Sequence, residues 1–115
     1  MKTTLLIVLM MVFNVGSQSC NKQKHQGDYP SCMEKLIKEF DNNQTCDKDV
    51  RVDKYIFQEK TVFVFEPGSC GADMTSAVYS NECKLLGHLG GIAGNTEING
   101  ESFSNAKLVA TVWRK

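Results

Sequence analysis

Five cysteines are the side chains with the most chemistry to offer in this 115-residue chain, and their positions divide them. Cys32, Cys46, Cys70 and Cys83 form an even set, compatible with two disulfides in an oxidising compartment. Cys20 is one sulfur too many. It follows Gly16-Ser-Gln-Ser19, small and polar residues at the end of an apolar run, which is where an export signal is cut. A thiol at that position is the lipid-attachment point of a bacterial lipoprotein, and Cys20 is read here in that role. Cleavage after Val15-Gly16-Ser17 or Ser17-Gln18-Ser19 by ordinary signal peptidase is the competing reading and gives a freely secreted protein.

The other groups carry weaker signals. The stretch from Gly87 to Gly100 holds five glycines. Gly87, His88, Gly90, Gly91, Gly94 and Asn95 are its candidate ligand residues, for an anion or a sugar. A compact turn packed under a sheet is the simpler account of the same residues. No dinucleotide or P-loop signature is present. The cysteines lack C-x-x-C pairs, and Asp73, Asn95, Glu97 and Asn99 only loosely follow a calcium-loop pattern, so no metal and no cofactor is expected. His88 is the single credible catalytic imidazole, because His25 lies in the polar stretch after Cys20. A Cys70/His88 pair would need Cys70 as a free thiol, a Ser/His pair is the other arrangement open to His88, and the expectation is a protein without enzymatic activity. Tyr55, Phe57, Phe63 and Phe65 suit either an exposed aromatic platform or a core, and core packing is the simpler. Asn43-Gln44-Thr45 matches the N-glycosylation acceptor pattern, which carries little weight in a bacterium.

The elements that must position these groups follow from patterning. Lys2 followed by Leu5 to Phe13, an unbroken apolar run, reads as a secretory leader over residues 1–19. Nine apolar residues fall well short of the roughly 20 that a permanent transmembrane helix needs. Residues 20–29 are polar and read as a flexible tether. Without an acidic residue in Asn21 to His25, the expected destination is an outer-membrane lipoprotein facing the periplasm. Thirteen Lys and Arg, less Lys2 of the leader, leave 12 cations against 13 carboxylates; that balance provides no footprint for nucleic acid.

Residues 30–115 are expected to form one small domain. Ser31 and Glu34 match a capping box, and Met33, Leu36, Ile37 and Phe40 form an apolar stripe, predicting a helix over about 32–41. Val50 to Phe57 and Thr61 to Phe65, joined by Gln58-Glu-Lys60, predict a β-hairpin whose second strand is covered on both faces. Asp73 to Tyr79 is expected as a short helical turn, Lys84-Leu-Leu86 as a short strand and Lys107 to Trp113 as a closing strand. The class expected is α+β: one N-terminal amphipathic helix packed on a small antiparallel sheet, with a loop-rich C-terminal half. With the hairpin turning near Glu59, Cys46 and Cys70 approach opposition at its open end. That favours Cys46–Cys70 with Cys32–Cys83, and Cys32–Cys46 with Cys70–Cys83 stays open.

From about Ser31 to Phe103 the chain resembles small exported lipoproteins, mostly of Bacteroidota, that share a domain of unknown function. The likeness rests on Pro30-Ser31-Cys32, Tyr55-x-Phe57, Lys60-Thr-Val-Phe-Val-Phe65, Cys70 with Asp73, Val78-Tyr79, and Gly90-Gly91-Ile92-x-Gly94 leading to Phe103. Glu59 stands where members carry Asn-Gly, and Leu89 where an acidic residue is found. The resemblance implies an envelope location and a single domain, and it implies no activity. The expected function is therefore a lipid-anchored envelope protein that acts as a non-catalytic binding or accessory module. Its partners would be the membrane, through the anchor, and a protein or small molecule. A secreted inhibitor-like module that plugs a partner's cleft is the alternative, and a small hydrolase comes after both.

Overall fold

The computed structural model describes residues 28–115. The leader, Cys20 and the tether up to residue 27 lie outside the described residues. One helix, α1 (Ser31–Asn42), precedes seven strands: β1 (Val50–Phe57), β2 (Lys60–Pro67), β3 (Thr75–Ser80), β4 (Leu85–Gly90), β5 (Glu97–Ile98), β6 (Glu101–Ser102) and β7 (Lys107–Arg114). A 3-10 turn, Phe103–Asn105, links β6 to β7. Five strands form an antiparallel sheet in the order β4-β3-β2-β1-β7, and β5 and β6 make a separate two-stranded ribbon.

The expected α+β class with a loop-rich C-terminal half is overturned, because the described chain is mostly β. The half expected to be loop-rich contributes β3 to β7: the short strand expected at 84–86 and the closing strand expected at 107–113 appear as β4 and β7, whereas β3, β5 and β6 were not expected as strands. Residues 73–79, expected as a helical turn, supply most of β3 instead. Val78 has an apolar partner across the strand, Val64 of β2, and Tyr79 faces Phe63. A single isolated helical turn would fix several dihedrals for one hydrogen bond, whereas a neighbouring strand offers a whole ladder. The capping box is also absent. Pro30, extended at φ −69° and ψ 158°, is the N-cap, no side chain caps the helix, and the Met33 N–H donates to the Pro30 carbonyl at 2.9 Å. The first turn is tied down by a sulfur bridge instead, from Cys32 to Cys83.

β2 lies at the centre of the sheet, and its period of two divides the core into two clusters. Phe63 and Phe65 share one with Val52 and with Met33 and Ile37 of α1. Val62 and Val64 share the other with Phe57, Val78 and Ile98, beside Phe103. The ribbon and the 3-10 turn thus bring Ile98 and Phe103 onto the second face. Phe57, Phe63 and Phe65 are buried, on opposite faces of the sheet, and so make no common platform.

The cross-links are Cys32–Cys83 and Cys46–Cys70, with Cα separations of 6.2 and 5.8 Å. The second closes the open end of the hairpin, beside the Val50–Pro67 pair. Gly68 is required there. Its φ is +98°, and a Cβ would stand 2.6 Å from the Lys48 carbonyl oxygen and 2.8 Å from Cys46 Sγ.

At the other end, Phe57 pairs with Lys60 across the two-residue turn Gln58-Glu59. Both residues have positive φ, 54° and 62°, the pattern that favours Asn-Gly in such hairpins. Each non-glycine residue held there costs about 1 kcal/mol or more. Glu59→Gly is expected to raise stability by about 0.5–1 kcal/mol net of the freer unfolded chain. A higher urea midpoint at unchanged slope is the readout, and a lower midpoint would contradict it.

Candidate functional site

The glycine-rich segment is built as strand and turn. Gly87, His88 and Gly90 belong to β4. Gly90 and Asn95 then exchange backbone hydrogen bonds of 2.8 and 3.1 Å, which closes a turn over Gly91-Ile-Ala-Gly94. Asn95 spends its side chain on this turn: its NH2 donates to the carbonyls of His88 (2.6 Å) and Glu97 (2.9 Å), and its Oδ1 accepts from the Glu97 N–H. Gly91 has φ +80°, and a Cβ would lie 2.7 Å from the Thr75 methyl. These residues therefore have structural duties that explain the glycines without a ligand. His88 stands exposed on β4 opposite Ala77, at the rim of a groove of about 310 Å³ that it shares with Phe40 and Tyr79. Cys70, its candidate partner in catalysis, is bonded to Cys46. Among the described residues no cluster of three His, Cys, Asp or Glu could hold a metal ion.

A row of charge that the sequence reading passed over crosses the second face of the sheet. Asp53 is 3 % exposed; its Oδ2 accepts from Arg51 Nε at 3.0 Å and its Oδ1 from the Thr111 hydroxyl at 2.7 Å. Arg51 also approaches Glu66 at 3.9 Å, and Glu66 accepts from the Ser76 hydroxyl. Burial pulls the Arg51 guanidinium down, but the hydrogen bond and charge of Asp53, with Glu66 and Asp49, outweigh it and leave its pKa raised. Tyr55 beside them is pushed up, first by burial and then by the carboxylates of Asp53 and Glu66. These groups satisfy one another and staple β3, β2, β1 and β7 together. Their alternation, Asp49-x-Arg51-x-Asp53, was the available signal in the sequence.

A concavity lies at the hairpin end of the sheet. It is a cleft of about 520 Å³, within the roughly 300–1,000 Å³ range of ligand pockets. Its floor is Phe57, Val62 and Leu86. Three turns supply the polar walls: Gln58 and Lys60 from β1–β2, Asn81, Glu82 and Lys84 from β3–β4, and Asn99 from β5–β6. Gln58 is held between two neighbours: its Oε1 accepts from Asn99 Nδ2 at 3.3 Å, and its Nε2 donates to Glu101 at 3.1 Å. Glu101 is steadied in turn by Asn105 Nδ2 at 3.0 Å. Among the described residues, non-glycine positions with positive φ are Asp49, Gln58, Glu59, Cys83 and Asn99. All but Asp49 belong to these three turns. Positive φ at Gln58-Glu59 and at Asn99-Gly100 is what two-residue hairpin turns require.

Of the residues the sequence singled out, Asn99 and Phe57 line this cleft, whereas Gly87, His88, Gly90, Gly91, Gly94 and Asn95 do not. Gln58, Lys60, Asn81 and Lys84 were missed. They sit in turns far apart in the chain, where no periodicity operates, and the one local hint was Gln-Glu at a position that favours Asn-Gly.

No curated protein and no solved structure matches the chain. A family model does, over residues 38–115, a span that contains the whole sheet and all three turns of the cleft. On that match the chain belongs to a family defined by a domain of unknown function, DUF6970.

Proposed function

We propose that this protein is a lipid-anchored, non-catalytic binding module of the bacterial cell envelope, held by Cys20 to the outer membrane on its periplasmic side. The observation that carries the reading is the sulfur pairing. Cys32–Cys83 and Cys46–Cys70 use all four cysteines of the described fold, so Cys20 remains as the thiol without an internal partner in that set. Two disulfides are compatible with an extracellular or periplasmic location. The likeness to exported lipoproteins of Bacteroidota supports the anchor, and the cleft with its pinned walls supports binding. With Cys70 cross-linked, the thiol that a Cys70/His88 pair would need is occupied, which favours a module without that chemistry.

Growth with an alkynyl palmitate analogue, followed by intact mass of the native protein, tests the anchor. The expected product begins at Cys20, carries added acyl mass and lacks four protons for two disulfides. Cys20→Ala is expected to lose the label and its membrane retention completely. A native protein that begins elsewhere with no fatty mass would overturn the anchor.

One observation favours a secreted inhibitor-like module as the second reading. Ile92 is 88 % exposed at the tip of the Gly91–Gly94 turn, presented like a plug. A partner protein that co-purifies with the wild type and is lost with Ile92→Asp would select it.

A further inference from the structure

We propose that the hairpin-end cleft binds an acidic saccharide, a sugar chain that carries carboxylates. This deepens the binding reading above and rests on it. Three features of the cleft converge on that chemistry.

The first is charge. Lys60 and Lys84 enter from different hairpins, and neither has an ion-pair partner among the described residues. Glu82 is the one carboxylate on the walls, so cations lead by two to one. The second is the carboxamide set. Gln58, Asn81 and Asn99 each offer both a donor and an acceptor, which is what a sugar hydroxyl needs in return. The third is half-buried Leu86, backed by the buried Phe57 and Val62, an apolar side chain that the C–H face of a pyranose ring can meet. A cleft of about 520 Å³ has room for more than a single compact anion.

Phosphate is the poorer fit. Phosphate sites gather backbone N–H groups into a tight concave nest. Here the donors are side chains distributed over three turns, which suits an extended ligand. The walls are also set before a ligand arrives. Gln58 is fixed by Asn99 and Glu101, and the turn that carries Asn81 and Lys84 is anchored to the helix through Cys83. Walls held in advance reduce the ordering cost of binding.

The test uses the 15N-labelled mature chain with both disulfides formed. Tetragalacturonate, cellotetraose and inorganic phosphate are titrated separately, and the side-chain amide signals of Gln58, Asn81 and Asn99 are followed. Tetragalacturonate is expected to move all three in a saturable way and to bind more weakly as salt screens the lysines. Lys60→Gln and Lys84→Gln should each weaken it about three- to fivefold, the effect of one exposed ion pair, with melting temperature unchanged. Equal binding of cellotetraose would overturn the acidic class and keep the cleft as a site. Equal shifts with phosphate would overturn the saccharide. No shift with either saccharide would remove the proposal outright, whereas the anchor stands or falls on the mass measurement alone.

Discussion

Serine at positions 32 and 83 is expected to lower the free energy of unfolding by about 4 kcal/mol. The bridge spans 51 residues, and closing so long a loop removes much of the unfolded chain's freedom. The Cys46–Cys70 bridge spans 24 residues, and the same relation makes its loss about 3.5 kcal/mol. A domain of this size holds on the order of 5–10 kcal/mol in total, so the first change removes a large share. Native contacts add to it. Cys32 lies in the first turn of α1, which has no side-chain cap, and Cys83 holds positive φ in the β3–β4 turn. Without the bridge both ends lose their fastening, and Asn81 and Lys84 lose a fixed place in the cleft. Urea unfolding of the oxidised wild type and the double variant measures the effect. A loss under 1 kcal/mol would mean that the bridge adds little to packing that already holds the helix start. Weakened binding of the Cys32→Ser/Cys83→Ser variant at temperatures where it stays folded would report the cleft separately.

The second large effect is expected from Phe63→Ala, at about 3–5 kcal/mol. Phe63 is fully buried at the middle of β2, the central strand, where it meets Met33, Ile37 and Val52. Its backbone neighbours, Lys54 on one side and Tyr79 on the other, are held in register by ladders, so the sheet cannot collapse into the hole. The edge-to-face contact of Phe65 with Phe40, at 5.1 Å between ring centres, props the helix away from it. Ile92→Ala is the natural contrast: an equally apolar side chain, but exposed, and expected to change stability by no more than about 0.5 kcal/mol. Chemical denaturation of the two variants side by side checks both. A Phe63→Ala cost near that of Ile92→Ala would place the core elsewhere.

The hairpin was legible because Val50 to Phe57 and Thr61 to Phe65 are rich in β-branched and aromatic residues, with a short polar break between them. The helix was legible through Met33, Leu36, Ile37 and Phe40. Both signals are local, and both survive in the structure as β1, β2 and α1. β3 was not legible. Thr75 to Ser80 has one fully buried residue, Val78, and its extended form depends on β2 lying alongside. The glycines of 87–100 were legible as unusual backbone, and the compact turn that was the simpler reading of them is present at Gly90–Asn95. Glycine announces unusual backbone, but the same freedom serves an edge strand and a tight turn as readily as a ligand loop. The capping box failed because Pro30 and the Cys32 bridge already set the helix start.

By itself the chain determined the groups whose roles are local or countable. These are the even set of four cysteines with one left over, the strand period of the hairpin, the apolar stripe of the helix and a near-neutral charge without a basic stripe. The tertiary structure decided what depends on distant segments meeting. It selected one disulfide pairing of two through the register of β1 on β2, made a strand of the segment expected as a helical turn, buried Asp53 between Arg51 and Thr111, and gathered three turns around one cleft. Side-chain period is a property of neighbours in sequence, whereas a cleft wall exists only once strands far apart in the chain have paired.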